Sequence, residues 1–175
     1  GMAFAQVLEI IRRETGLSLR DNQIACALAL LRGECVELRT GEGKTLAAAL
    51  AALLAARAGV STHVITVNDY LASRDHELMA PLAARLGLSN AVMTTDTTDE
   101  EKQATYDVDI LYSTNKIYVF DHLRDKREKR QSDGAIPRQM GQAFAIVDEA
   151  DSVLIDDATT PMILSEPGEK VSDID

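Results

Sequence analysis

Phe4, Val7, Leu8 and Ile11 recur at intervals of three and four residues, so Ala3 to Arg13 is predicted as a short amphipathic helix that Gly16 ends. A second helix is expected from the capping residue Asp21 to about Leu31, with Gly33 as its stop. Gln23 stands in its first turn and by position alone reads as an ordinary exposed helix-start residue. Cys35-Val36-Glu37-Leu38 is a short apolar run with strand character. From Gly43 to about Arg57, alanine and leucine fill most positions, the pattern of a helix covered on most sides; Gly59 closes it. Thr62 to Val67 reads as a buried-type strand. Asn68 or Asp69 then opens a helix to about Leu86, with Leu71, Leu78, Leu82 and Leu86 along one face.

Ala91 to Thr94 reads as a further strand. Thr98 with Glu101 three residues on forms a capping box for a short helix to about Tyr106. Val108 to Tyr112 is predicted as a strand and Thr114 to Leu123 as a helix. Arg124 to Gly141, charged and carrying Gly134 and Pro137, is expected to be a loop with frayed helix at its start. Phe144-Ala145-Ile146-Val147 is the last buried-type strand. Alternating strands and helices imply an α/β fold with a parallel, doubly wound sheet, which gathers ligands at the carboxyl ends of its strands. The polar stretch from Glu166 reads as a linker.

The chemistry enters at Leu38-Arg39-Thr40-Gly41-Glu42-Gly43-Lys44-Thr45, between an apolar run and a helix. Glycine loop followed by Gly-Lys-Thr is the context in which backbone amides and a helix N-terminus cradle phosphates. Gly41 and Gly43 allow the needed backbone angles. Thr40 to Thr45 would surround the phosphates, Lys44 would reach the terminal ones, and the Thr45 hydroxyl would ligate Mg²⁺. Leu38 departs from the strict pattern, which has glycine there. The partner motif is Asp148-Glu149-Ala150-Asp151 directly after the last strand. Asp148 would hold the Mg²⁺ shell and Glu149 would orient or deprotonate the attacking water. The competing reading has both acids merely capping the next helix.

Length and charge narrow the picture further. The 175 residues suit one domain, 46% hydrophobic and 26% charged, without an apolar run long enough to span a membrane. With no signal peptide evident, the expected compartment is the cytosol. Gly1 reads as a tag-cleavage scar. A net charge of −10 argues against a domain that holds nucleic acid by neutralising its phosphates, but a nucleotide needs only one lysine, a metal and amides. Cys26 and Cys35 are expected to be reduced, partly buried thiols. His63, His76 and His122 lack metal-ligand spacing and read as surface or packing residues. The mixed-sign run Arg124 to Arg130 reads as a solvated helix face. Tyr106, Tyr112 and Tyr118 do not read as a stacking platform.

The blocks Thr40-Gly41-Glu42-Gly43-Lys44-Thr45, Thr66-Val67-Asn68-Asp69-Tyr70-Leu71-Ala72-Ser73-Arg74-Asp75 and Asp148 to Pro161, with Ser113-Thr114-Asn115 and Phe120 to Asp125, resemble SecA, the ATPase motor of bacterial preprotein translocation. The similarity runs from about Ala3 to Ser165. It implies a P-loop NTPase of RecA-like, helicase type, with ATP and Mg²⁺ as cofactors. It also implies that residues 2–165 are the N-terminal part of the first motor domain, with 166–175 leading to a preprotein-binding domain. Under the resemblance Gln23 becomes the adenine-reading glutamine, and Arg74 either approaches the nucleotide or pairs with Asp75 or Glu77. The partners implied are a preprotein, a membrane channel at the inner face of the cell membrane, and a second motor domain in cis, with no nucleic acid. Asp157, Thr159 and Asn115-Lys116-Ile117 depart from the family pattern. A nucleic-acid helicase module and a nucleotide-binding regulatory domain without turnover are the alternative functions.

Overall fold

The structure, a computed structural model, describes residues 2–132, 134–139, 141 and 144–164. In chain order it contains α1 (Met2–Thr15), α2 (Asp21–Leu31), α3 (Lys44–Arg57), β1 (Thr62–Thr66), α4 (Asp69–Arg85), β2 (Asn90–Val92), α5 (Asp99–Tyr106), β3 (Ile110–Thr114), α6 (Asn115–Gln131) and β4 (Phe144–Val147). A π-helical turn at Ser152–Asp156 and a 3₁₀ turn at Asp157–Thr159 follow. The four strands form one sheet in the order β2-β3-β1-β4, every pair parallel. Parallel neighbours require crossover helices, and these cover both faces.

Strand alternation assigns the faces. Val64, Ile110, Tyr112 and Ile146 join α1 to α4 in the larger core, through Val7, Ile11, Leu50, Leu53, Met79 and Leu82. The opposite face sends Leu111 against Met93, Tyr106 and Ile117, beneath α5 and α6. Helix α3 lies deepest, with Ala47, Ala49, Leu50, Ala51, Ala52, Leu53, Ala55 and Ala56 all buried. Its many alanines let α2 and the sheet approach closely on several sides.

Several expectations change. Residues 34–39 form no strand, so the loop is not preceded by a paired strand among the described residues. Val36 and Leu38 instead flank Ile146 and Val147 across a small apolar cavity without a hydrogen-bonded ladder. Strand β4 is consequently an edge, with Ala145 exposed, rather than a fully buried strand. On α4 the buried positions are Ala72, Asp75, Met79, Leu82 and Ala83, so the covered face is rotated from the leucine row. Cys26 is buried but Cys35 is exposed.

The largest difference is α6, which continues through Gln131 where a loop was expected. Two of its acids point inward. Asp121, fully buried, accepts from Lys102 Nζ at 2.8 Å, Tyr106 Oη at 3.1 Å and Arg124 Nη1 at 3.1 Å. Asp125 accepts from the backbone amides of Arg138 and Gln139 at 3.0 and 2.9 Å. These bonds fix the helix against α5 and the 137–139 segment, so Arg124 to Arg130 is only partly a solvated face. His63 packs edge-on against Tyr118 with ring centroids 5.2 Å apart, as a packing histidine. Tyr106 lies 6.3 Å from Tyr118 in the same cluster, and its burial rules out a stacking surface. The stretch from Glu166 lies outside the described residues.

Candidate functional site

The glycine loop closes through a turn in which the Glu42 amide donates to the Arg39 carbonyl at 3.1 Å. Gly41 and Gly43 have φ of +82° and +80°. Gly43 is the N-terminal cap of α3 in left-handed geometry, and a Cβ added there would strike Gln23 Nε2. Left-handed backbone and close approach together explain why this position requires glycine.

Gln23 is almost fully buried, contrary to the exposed role its position suggested. Its Oε1 accepts from the Arg20 amide at 2.8 Å, and its Nε2 donates to the carbonyls of Glu42 and Gly43 at 3.0 and 3.2 Å. Arg20 Nη2 adds a second donor to the Glu42 carbonyl at 2.6 Å. All peptides are trans among the described residues, so each N–H points opposite to the C=O of its own peptide unit. Carbonyls drawn toward α2 therefore turn the Gly43 and Lys44 amides the other way, into the space ahead of α3. Amides turned that way, with the helix dipole behind them, could receive an anion.

The acid motif arrives from the other side. The Asp148 amide donates to the Ile65 carbonyl at 2.8 Å, carrying the β1–β4 ladder one residue past the strand end. Asp148 Oδ1 accepts from the Glu149 amide at 2.9 Å. Glu149 has φ of +54°, an uncommon conformation for a residue with a side chain, and the π-turn begins three residues on at Ser152. Its carboxylate stands 3.9 Å from Lys44 Nζ, both side chains about 40% exposed. Such a pair contributes little stability and exchanges readily for a bound anion. Lys44 and Asp148 line the same small cavity beneath the loop, together with Cys26, Leu30 and Leu38. The two sequence motifs thus meet at one place, and Leu38 occupies its departure from the glycine pattern as a packing residue.

Arg74 does not extend alone into the site: its Nε and Nη2 bind Asp75 Oδ1 at 2.9 and 2.7 Å. Burial pushes the Asp75 carboxyl above its ordinary range despite the guanidinium, and Asp148 adds to the effect. Asn115 Nδ2 donates to Asp157 Oδ2 at 3.2 Å, which joins the two segments that depart from the family pattern. Among the described residues, no cluster of three or more His, Cys, Asp or Glu could hold a metal by itself. Asp148 in the cavity wall and Thr45, next to Lys44 in the first turn of α3, offer hard oxygen donors, an incomplete set of the kind that suits a Mg²⁺ arriving with phosphate ligands.

The family model for the SecA DEAD-like domain matches residues 1–174. The protein translocase subunit SecA of Wolbachia sp. subsp. Brugia malayi is 48% identical over 172 residues, covering 98% of this chain and 20% of that protein. SecA of Acidithiobacillus ferrooxidans is 46% identical over 172 residues, covering 98% of this chain and 18% of its own. SecA of Trichlorobacter lovleyi is 47% identical over 171 residues, covering 98% and 19%. The chain spans about a fifth of the length of these relatives.

Proposed function

The chain belongs to the SecA DEAD-like domain family, with its RecA-like fold, and from that premise we propose that it is the ATP-binding half of a protein-export motor. The observation that carries the reading is the convergence of Lys44 and Asp148 on one cavity, beneath loop amides already turned outward. The Gly43 and Lys44 amides bind phosphate oxygens, and Lys44 leaves Glu149 to pair with the terminal phosphate. Thr45 and Asp148 hold Mg²⁺, which when bound neutralises charge on the phosphates. Glu149, freed from Lys44, orients a water and takes its proton. Gln23 ties the adenine side of the site to the loop through its bonds to Glu42 and Gly43.

In the whole protein this hydrolysis would drive preprotein movement through a membrane channel. Among the described residues no helix is long and apolar enough to cross a membrane. Leu154 and Ile155 are exposed beside the acid motif and offer an apolar edge to a second motor domain. With one half of the site present, the 175-residue chain binds nucleotide weakly and turns it over negligibly. Calorimetry with ADP and Mg²⁺ on this chain, beside phosphate release by the full-length protein and its Glu149→Gln variant, tests the reading. Brisk hydrolysis by the chain alone, or full activity after Glu149→Gln, would overturn it.

A further inference from the structure

Thr66 closes β1, and its side chain is 1% exposed, yet its hydroxyl has no hydrogen-bond partner among the described residues. Buried hydroxyls are nearly always paired, because an unpaired one forfeits its bonds to water. Its surroundings narrow what it could bind. Asp148 N–H donates to the Ile65 carbonyl, and in a parallel ladder that bond sets Asp148 level with Thr66 on the neighbouring strand. Thr66 and Val64, two residues apart, share the face packed by α3 and α4, and Asp148 shares that face with Ile146. The other hydroxyl in the row, Thr114 on β3, already accepts from the Ile117 amide as the cap of α6. Asp75, from α4, is engaged by Arg74.

We propose that Thr66 is a positioning residue for Asp148: its hydroxyl donates to the Asp148 carboxylate when a magnesium–nucleotide occupies the site, and so holds that carboxylate toward the metal. This rests on the nucleotide site proposed above. The hydroxyl, unpaired among the described residues, gains its partner on binding. Outer partners of this kind set the orientation of a ligating carboxylate, and losing one weakens metal binding without touching the metal.

The test is a thermal-shift titration of the 175-residue chain with ADP, with and without Mg²⁺, on wild type, Thr66→Val, Thr66→Ser and Lys44→Ala. Without ligand, Thr66→Val should melt about 2–4 °C higher, since it removes an unpaired buried hydroxyl at constant shape. Its ADP response without Mg²⁺ should match wild type, and the affinity gained on adding Mg²⁺ should fall roughly tenfold. Thr66→Ser should recover that gain, which a packing role for the methyl group would not allow. Thr66→Val that melts lower or fails to fold, or that keeps the whole Mg²⁺ gain, overturns the proposal. So does Thr66→Ser behaving like Thr66→Val. Lys44→Ala separates the two readings: if it responds to ADP as wild type does, the nucleotide site itself is misplaced and the proposal falls with it. If it loses the response while Thr66→Val keeps the Mg²⁺ gain, only the Thr66 assignment fails.

Discussion

Gly43→Ala tests whether Gln23 and the loop act as one unit. At φ of +80° a side chain costs about 1–2 kcal/mol in left-handed backbone strain alone. Gly41, at φ of +82°, has no neighbour within 4 Å of a Cβ, so Gly41→Ala should cost about that much and no more. At Gly43 the new methyl strikes Gln23 Nε2 and expels an amide that donates at 3.0 and 3.2 Å to two carbonyls. Two neutral hydrogen bonds at roughly 0.5–1.5 kcal/mol each bring the expected loss to about 2–5 kcal/mol. Urea unfolding of both variants measures the difference. A double-mutant cycle adds the decisive arm. In a Gln23→Ala background the collision and the bonds are already gone, so Gly43→Ala should cost only its backbone strain, leaving a coupling of about 1–3 kcal/mol. Equal losses at Gly41 and Gly43, or full additivity with Gln23→Ala, would refute the account of the loop as braced from α2.

Other outcomes follow from burial and charge. Asp121→Ala removes the buried acceptor shared by Lys102, Tyr106 and Arg124 and leaves the largely buried Lys102 ammonium only the exposed Asp99 at 3.1 Å, for a loss of about 2–4 kcal/mol in chemical unfolding. Burial lowers the His63 pKa, so the unfolded chain takes up the proton more readily; stability is full at neutral pH and falls as pH drops through about 6.5. Urea midpoints between pH 7.5 and 5.5, absent that slope in His63→Gln, check the sign. Leu38→Gly restores the strict glycine pattern but empties a packing position beside Ile146; it should cost about 1–3 kcal/mol without improving ADP affinity in calorimetry.

The features read correctly from sequence were those with a local cause. Thr98 with Glu101 is a capping box because both partners lie within one turn, and the Glu101 carboxylate accepts from Thr98 as expected. The Ala/Leu run of α3 admits little besides a helix. What escaped depended on partners distant in sequence. Asp125 reads as part of a solvated face, and Asp121 carries no sign of burial, because nothing local reveals that the 138–139 amides and Lys102 will meet them. Cys35 to Leu38 has strand composition, but strands exist only as pairs, and here β4 offers its edge without a ladder. Gln23 is the instructive residue: helix position suggested exposure, family resemblance suggested adenine, and the fold buries its amide against the loop. Thr66 left no trace, since an unpaired hydroxyl has no signature in sequence.

Helix α3 resembles an axle seized in its housing: eight of its residues are buried, and most are alanines with no side-chain length to yield. Lys44 rides on the end of that axle, so the helix cannot tilt to follow a ligand. The give lies in front of it, where Gln23 and Arg20 grip the Glu42 and Gly43 carbonyls through exchangeable hydrogen bonds. A phosphate that shifts those two peptides therefore tugs on the start of α2 and leaves the rest of the core still.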